Sequence, residues 1–249
     1  MIVISKEYKR TKYGFKKKGQ SPFVIIAPHA AGDDLKTGLI ARRLAKKLNA
    51  FLVINNKFFK STNSKAKTKP EFVQDFNKLG WGYKNRKYFW WNKKRPMRAF
   101  YSRIAKYCDL AKSYSREKKA VAIYLHGTKE NEIGIDIGVG IKTKKFNDKF
   151  IKSSESNYFC SGVPTIEIDQ AKELKKLLQS ELLKKYGLKV GIGCHFPAWS
   201  KRIAVQFHKN CGRDDYAIQL EINKTLRQNK KDRLYLAYLL SEVLKQIFI

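Results

Sequence analysis

Two histidines stand just past apolar runs that have the length of buried strands. Residues 23–28 are followed by His29, and residues 120–125 are followed by His126. The whole chain contains only four histidines. Because ligands bind at the carboxyl ends of strands in open α/β sheets, both imidazoles are expected where chemistry usually occurs.

Two aspartates follow the first of these histidines. Asp33 and Asp34 stand where the first helix should begin. Zinc binds imidazole and carboxylate groups, and a catalytic zinc site keeps one position for water. His29, one of the two aspartates and His126 would therefore supply three protein ligands. An aspartate at this place can also be a helix N-cap, so one carboxylate could cap while the other binds the metal.

A glutamate near the end of the chain is a candidate general base. In residues 216–223 the alternation places Gln219, Glu221 and Asn223 on one face of a strand and the aliphatic residues on the other. The chain has 21 acidic residues against 53 basic ones, so a carboxylate in an apolar strand stands out. Glu221 could activate a water beside a metal. The alternative is a solvated strand face.

Arg213 and His195 are candidates for contact with a substrate. Arg213 precedes the strand of Glu221 and could hold a substrate carboxylate or polarise the scissile carbonyl. Its alternative role is that of a surface arginine. His195 follows a predicted strand, and we expect it to line the substrate pocket.

A rival metal set is present in the same region. The two cysteines and two histidines of a structural zinc site are available, although their spacing matches no zinc finger: Cys194, His195, His208 and Cys211.

A glycine-rich stretch, residues 134–140, lacks the contiguous GK[ST] of a phosphate-binding loop. We expect these glycines to permit close backbone packing near the metal site.

The elements that must position these residues alternate between strands and helices. This pattern predicts one α/β domain over residues 1–249, with a mixed, mostly parallel central sheet and helices on both faces. The predicted strands cover residues 23–28, 51–55, 120–125, 133–139, 188–193, 203–208 and 216–222. The predicted helices cover residues 35–49, 71–79, 97–114, 169–186 and 232–247, with Asp169 as the N-cap and Gly187 as the C′ residue of the fourth. Residues 1–20 are expected to form a basic arm or an edge strand.

The composition is strongly basic. The formal net charge is +32, which would attract nucleic acid, acidic peptides or an anionic surface. No apolar run approaches the roughly 18 residues that a transmembrane helix needs. The N-terminus shows no cleavage signature, and we expect a cytoplasmic protein. The four cysteines form no CxxC pair and are expected to be free thiols.

One segment favours a second function. Residues 81–103 form an aromatic and basic insertion of the kind that binds single-stranded nucleic acid. The same residues could wall a site for an acidic peptide or pack onto the domain. The second hypothesis is therefore a nucleic-acid-binding protein on this α/β fold, with the basic surface and residues 81–103 as its contact.

Three short motifs carry a resemblance to a known family. Residues 27–35, residues 124–127 and residues 219–223 resemble the N-formylglutamate amidohydrolase family and are similar to the related poly-γ-glutamate hydrolases. Both resemble zinc carboxypeptidases in fold and metal site. The resemblance implies a zinc-exopeptidase or phosphorylase/hydrolase-like fold, with zinc bound by His29, a nearby acidic residue and His126. It also implies that Glu221 activates the bound water.

The resemblance further implies which acid binds the metal and what the substrate is. In the poly-γ-glutamate hydrolases the acidic ligand stands five positions after the first histidine, which is Asp34 here, with aspartate in place of glutamate. The amidohydrolases often carry Asn-Arg after the second strand. This chain has Asn55-Asn56-Lys57, so Asn55 is the expected substrate contact. The expected activity is zinc-dependent hydrolysis of an amide bond in a small acidic or peptide-like substrate.

Overall fold

A mixed eight-stranded sheet forms the centre of the molecule. The computed structural model describes residues 7–79, 94–129, 132–143, 150–151, 163–200 and 202–249. The strands of the large sheet are β1 (Lys9–Arg10), β2 (Gly14–Lys17), β3 (Phe23–Ala27), β4 (Phe51–Asn55), β5 (Val121–Thr128), β6 (Ile133–Gly138), β9 (Lys189–Ile192) and β10 (Tyr216–Asn223). Two short strands, β7 (Lys142–Thr143) and β8 (Phe150–Ile151), form a separate pair.

The strand order brings three carboxyl ends together. The order is β1-β2-β4-β3-β5-β10-β6-β9. The four consecutive strands β4-β3-β5-β10 run parallel to one another. β6 and β2 pair antiparallel with β10 and β4. In register, Ile26 pairs with Tyr124 and Glu221 pairs with His126. β5 therefore extends past the end of β3, and His126 reaches the turn that carries His29.

Helices cover both faces of the sheet. They are α1 (Thr37–Lys47), α2 (Arg95–Ala111), α3 (Ile168–Tyr186), α4 (Phe207–Asn210), α5 (Lys224–Gln228) and α6 (Lys230–Phe248). One core joins α1, α3 and α6 to inward residues such as Ile25 and Ile218, and the other joins α2 to residues such as Val24 and Tyr124. Every residue of β3 is buried, as expected for a strand that is covered on both faces. This confirms the predicted α/β class.

Two predicted elements are wrong. Residues 203–208 form a 3₁₀ turn, Ala204–Gln206, that leads into α4 and not a strand. A short apolar run can be either a strand or a buried turn of helix. Residues 204–208 are all buried, so their pattern could not distinguish the two. In the predicted helix 71–79 only a 3₁₀ turn, Pro70–Phe72, is present. The hydrogen bond from Gln74 N to Phe59 O holds the following segment extended against the loop after β4.

Of the two predicted ends of α3, only the C-terminal one agrees with the structure. Gly187 follows the helix with φ of 65°, as predicted for a C′ glycine. The N-cap is Glu167, which forms a capping box with Gln170, and Asp169 lies in the first turn. At the other side of the sheet, residues 9–10 form the edge strand β1 and residues 14–17 form its neighbour β2, in line with one of the two expectations for residues 1–20.

Several compositional predictions have structural counterparts. Cys108, Cys194 and Cys211 are free thiols. Within the described ranges, no helix combines the length and the apolar character needed to cross a membrane. Most of the predicted insertion 81–103 lies outside the described residues. Its last part enters α2, where Tyr101 is buried and donates a hydrogen bond of 2.6 Å to Phe76 O.

Candidate active site

The turn after β3 folds Asp34 back towards His29. The backbone N–H of Asp34 donates to His29 O at 3.2 Å, and the Thr37 hydroxyl donates to Asp34 O at 2.8 Å. Helix α1 then begins at Thr37 without a side-chain cap. Neither Asp33 nor Asp34 is therefore an N-cap, and the carboxylates have other partners.

Asp33 is used to fasten a loop. Its Oδ2 accepts from the backbone N–H of Lys60 at 2.8 Å, and its Oδ1 accepts from Asn63 Nδ2 at 2.8 Å. Its Oδ2 also lies 3.8 Å from His29 Nδ1. Both oxygens thus hold the segment after β4 in place. Asp34 is the carboxylate of the pair that contacts His126.

Asp34 and His126 form a buried pair. His126 Nδ1 lies 3.0 Å from Asp34 Oδ2, and their exposed fractions are 2% and 4%. Burial alone would raise the pKa of Asp34, but the hydrogen bond and charge of His126 outweigh it and lower that pKa. Nε2 of His126 has no hydrogen-bond partner among the described residues. A buried ionised carboxylate beside an unsatisfied imidazole nitrogen is an arrangement that a metal cation would satisfy.

His29 lies against the second histidine and is oriented by a carboxylate. The two imidazole rings are 5.2 Å apart, and His29 is fully buried. Nε2 of His29 lies 3.2 Å from Asp75 Oδ1. Burial lowers the pKa of His29, so its ring is neutral, the form that binds a metal. Asp75 was not among the residues predicted from the sequence. A carboxylate behind an imidazole is a common way to orient a metal ligand.

The three expected ligands are of the types that zinc binds, but their ligand atoms lie farther apart than in a formed metal site. Two imidazoles and one carboxylate are a ligand set typical of catalytic zinc sites. His29, Asp34 and His126 do not bring one ligand atom each to within 4.8 Å of one another. Since Asp34 and His126 are already in contact, metal binding requires an adjustment at His29.

Glu221 lies beside His126 and lines the same cavity as Asp34. It belongs to β10, is 7% exposed, and accepts a hydrogen bond from Gln219 Nε2 at 3.1 Å. Burial raises its pKa to about 7. Gln219 and Asn223 are buried as well, so this strand face is not solvated. A carboxylate with a pKa near neutrality can both take and return a proton.

A cavity of about 360 Å³ opens in front of these groups. Its lining includes Asp34, Lys60, Asn77, His126, Gly127, His195, Phe196, Trp199, Ser200, Gln219 and Glu221. His195 thus lines the pocket, where the sequence predicted it. Lys60 is the only lysine or arginine among the described lining residues, and no sequence pattern singled it out.

The loop of His195 is held by a buried carboxylate. Asp136 Oδ2 accepts from the backbone N–H groups of His195 and Phe196, at 2.8 Å each, and Oδ1 accepts from Cys194 N at 3.0 Å. Asp136 pairs in register with Glu221 on the neighbouring strand. The glycines beside it permit the close packing that was expected. A Cβ on Gly138 would lie 2.5 Å from Phe196 O.

A buried arginine ties together the elements that carry the site. Arg227 donates to Ile222 O at 3.0 Å, to Thr128 O at 3.1 Å and to Leu35 O at 2.5 Å. These carbonyls lie at the end of β10, at the end of β5 and in the turn before α1. A Cβ on Gly127 would lie 2.5 Å from the Arg227 guanidinium carbon, so the glycine after His126 leaves room for this arginine.

Asn55 is engaged inside the fold. Its Nδ2 donates to Pro28 O at 2.7 Å and to Phe58 O at 2.8 Å, and its Oδ1 accepts from Phe58 N at 2.9 Å. It is fully buried. The amide therefore shapes the loop after β4 and is not available to a substrate, contrary to its expected role as a substrate contact.

Arg213 lies at the opposite end of β10 from Glu221. It precedes Tyr216, which pairs with Val121 at the start of β5, whereas Glu221 pairs with His126 near the end of that strand. Its guanidinium contacts Asp215 and Asp109 at 2.6 Å each. The structure does not bring Arg213 to the cavity, and the expected role in substrate binding or catalysis is corrected accordingly.

The rival metal set is dispersed. Cys194 lies beside Thr143, His195 lines the cavity, and Cys211 is exposed. His208 belongs to another buried cluster, in which Cys108, His208 and Asp215 each offer a ligand atom within 4.8 Å of the others.

That second cluster is a hydrogen-bonded network. The two ring nitrogens of His208 lie 2.9 Å from Tyr124 Oη and 2.9 Å from Asp215 Oδ2. Arg213 and Lys112 add two cations beside Asp215, at 2.6 Å and 3.3 Å. Because both imidazole nitrogens are used and Asp215 is already paired with two cations, this cluster favours a structural role over a metal site.

Comparisons with known proteins give the fold. No model of a protein family matches the sequence, and no curated protein matches it either. Among solved structures, the chain is similar to gene product Atu2144 from Agrobacterium tumefaciens, with a TM-score of 0.50 at 12% identity, covering 92% of this chain and 91% of that one. It is similar to a zinc-free form of a protein designated YNDL, with a TM-score of 0.50 at 15% identity, over 98% and 92% of the two chains.

A bacteriophage poly-gamma-glutamate hydrolase is a third similar structure. Its TM-score is 0.48 at 17% identity, over 98% of this chain and 91% of that one. At such identities the likeness concerns the fold. The α/β domain, with its large mixed sheet between two layers of helices, shares its fold with the two structures at a TM-score of 0.50, in agreement with the predicted α/β class.

Proposed function

We propose that this protein is a zinc-dependent hydrolase that cleaves an amide bond in a small acidic or peptide-like substrate. The observation that carries the proposal is that the Asp34–His126 pair and Glu221 line one cavity, with the ring of His29 5.2 Å from that of His126. Three neighbouring parallel strands deliver these groups. The fold likeness to a structure described as zinc-free supports this choice of metal.

The proposed ligands are His29, Asp34 and His126. When bound, zinc would polarise the substrate carbonyl and acidify a water molecule. The choice of Asp34 over Asp33 follows from the partners of the two carboxylates. Asp33 holds the loop at Lys60 and Asn63, whereas Asp34 contacts His126.

Glu221 is the proposed general base. Its carboxylate takes a proton from the attacking water and returns it to the leaving amine. The hydrogen bond from Gln219 orients it, and burial keeps its pKa near neutrality. Two described carboxylates line the cavity, Asp34 and Glu221. Asp34 is bonded to His126, so Glu221 is the one left to act on a water molecule.

Lys60 is the proposed partner of the substrate carboxylate. Asn55 is engaged in the fold and Arg213 lies at the far end of β10, so neither can hold the substrate. Lys60 is the basic side chain among the described residues that line the cavity. His195 and Trp199 wall the same cavity. An ammonium group opposite the scissile bond would select an acyl amino acid or peptide with a free carboxylate.

A substrate panel tests this proposal. The zinc-loaded protein is assayed with N-formyl, N-acetyl, N-succinyl and γ-glutamyl derivatives of glutamate and aspartate. Each is paired with the matching compound whose α-carboxylate is an amide. We expect cleavage of at least one acidic member and a lower kcat/KM for its neutral partner. Zinc binding with no hydrolysis of any amide in the panel would contradict the proposed function.

A further inference from the structure

A basic groove lies between α1 and α6, on the side of the sheet away from α2. Its volume is about 350 Å³, and small-molecule sites are about 300–1,000 Å³. This α1–α6 groove is lined by Tyr8, Leu39, Arg42, Arg43, Lys46, Lys230, Arg233 and Leu234. It shares no lining residue with the cavity of the candidate active site.

The basic side chains of the groove are not paired with carboxylates of the described residues. Among the described residues, its lining contains five basic side chains and no acidic one. None of the five makes an ion pair with a carboxylate of the described ranges. Three of the five are arginine, although arginine supplies only 12 of the 53 basic residues in the chain. Arginine is therefore concentrated here, and its planar fork suits phosphate groups.

Two of the arginines are held in place by the fold. The Arg42 guanidinium lies 5.5 Å from the ring of Tyr8 and 5.1 Å from that of Phe15. Arg233 Nη1 donates to Arg227 O at 2.9 Å and to Gln228 O at 2.7 Å. Two positive charges are thus fixed at the groove before any ligand arrives, and this lowers the ordering cost of binding.

The floor of the groove is partly apolar. Leu39 and Leu234 are exposed by 42% and 36%, next to the ring of Tyr8. A ligand that uses both features combines phosphates with flat apolar groups. Membrane association uses an apolar face that is buried in the lipid boundary, whereas a single strand offers phosphates and flat bases together, which match the cations and the apolar residues of this groove.

We propose that the α1–α6 groove binds single-stranded nucleic acid. The phosphates contact the five cations, and a base lies against Leu39, Leu234 and Tyr8. This is a second site, which shares no described lining residue with the cavity of the candidate active site. The proposal also gives the +32 net charge of the chain an anionic ligand.

The test measures the salt dependence of binding to a fluorescein-labelled oligothymidylate by fluorescence anisotropy. The groove variant carries Arg43→Gln, Lys46→Gln and Lys230→Gln, three exposed residues. The control variant carries Lys67→Gln, Lys106→Gln and Lys184→Gln, three exposed lysines elsewhere with the same loss of charge. Circular dichroism and zinc content are recorded for both, and we expect neither to change.

The slope of log K against log salt distinguishes the outcomes. Each phosphate contact contributes about 0.7 to this slope on single strands, so the groove variant should lose about 2 and the control almost nothing. Equal losses in the two variants, or no binding by the unmodified protein, would overturn the proposal. Tighter salt-sensitive binding to poly-glutamate or to phosphatidylserine vesicles than to the oligonucleotide, lost in the groove variant, would assign the groove to that ligand instead.

Discussion

Nε2 of the buried His29 lies 3.2 Å from Oδ1 of Asp75. This contact leaves Nδ1 as the ring nitrogen that can face Asp34 and His126. Neither ring nitrogen of His29 makes a fully formed hydrogen bond with the described residues, so the Asp75 contact is one of distance and charge. We propose Asp75 as the positioning residue of the metal site, although residues 71–79 were predicted to be helical.

Replacing Asp75 with asparagine should weaken zinc binding by about 10- to 100-fold, because the partner that orients His29 loses its charge. Glu71→Gln, an exposed carboxylate four residues earlier, is the matched control. Competition with a zinc-sensitive dye gives both affinities. Equal affinities of Asp75→Asn and the unmodified protein would mean that His29 is oriented by other contacts.

Lys60→Met should lower kcat/KM for an acidic substrate by roughly 10- to 100-fold, the effect of losing a hydrogen bond to a charged group. Lys57→Met removes the same charge from an exposed position in the same loop and should have little effect. Steady-state kinetics on an acidic amide and its neutral analogue provide the comparison. A similar loss for both substrates would show that Lys60 does not recognise the carboxylate.

Arg227→Lys should destabilise the protein by about 1–3 kcal/mol, because one ammonium group cannot reach the three carbonyls that the guanidinium satisfies. Urea unfolding measures the change, and Arg98→Lys on the exposed side of α2 is the control. Since those carbonyls belong to the ends of β5 and β10 and to the turn before α1, turnover should fall as well. Unchanged stability would mean that water replaces these hydrogen bonds.

Asp215→Asn should destabilise the protein by about 3–5 kcal/mol at neutral pH, since it leaves buried charge without its partner. Burial alone would raise the pKa of Asp215, but the contacts with His208 and Arg213 outweigh it and hold that pKa well below its usual value. The stabilisation is therefore present above the unfolded value of 3.8 and is lost as the pH falls through the lower folded value.

The gap in unfolding free energy between Asp215→Asn and the unmodified protein should consequently narrow as the pH is lowered below about 4. Asp214→Asn is the control, because the Asp214 side chain is 75% exposed. Denaturant titrations at a series of pH values measure the gap. A gap that stays constant down to acidic pH would indicate that Asp215 is not ionised in the folded protein.

The sequence predicted the residues that follow strands better than those that precede them. His29 and His126 meet because the carboxyl ends of parallel strands share one edge, and the alternation in β10 selected Glu221 correctly as a member of the polar face. Arg213 was misjudged, since a residue that precedes a parallel strand lies at the opposite edge. That distinction was available from the predicted strand directions.

Other residues could not be predicted because their roles depend on long-range contacts. Asp75, Asp136 and Arg227 contact partners from distant parts of the chain, and nothing in their local patterns indicates those partners. Asn55 was predicted to contact the substrate, but its amide donates to Pro28 O and Phe58 O inside the fold, and the local sequence does not indicate these partners. Local periodicity thus identified which strands carry the chemistry, while the supporting contacts required the folded structure.

The most direct test of the proposed chemistry is the Glu221→Gln variant, in which zinc content and amide hydrolysis are measured on the same purified sample. Glutamine keeps the size of the side chain and removes the base. We expect zinc stoichiometry equal to that of the unmodified protein, because His29, Asp34 and His126 supply the ligands, and turnover reduced by about 10²-fold or more. Retained zinc with undiminished turnover would contradict the role of Glu221 as the base, and loss of zinc would make Glu221 a ligand.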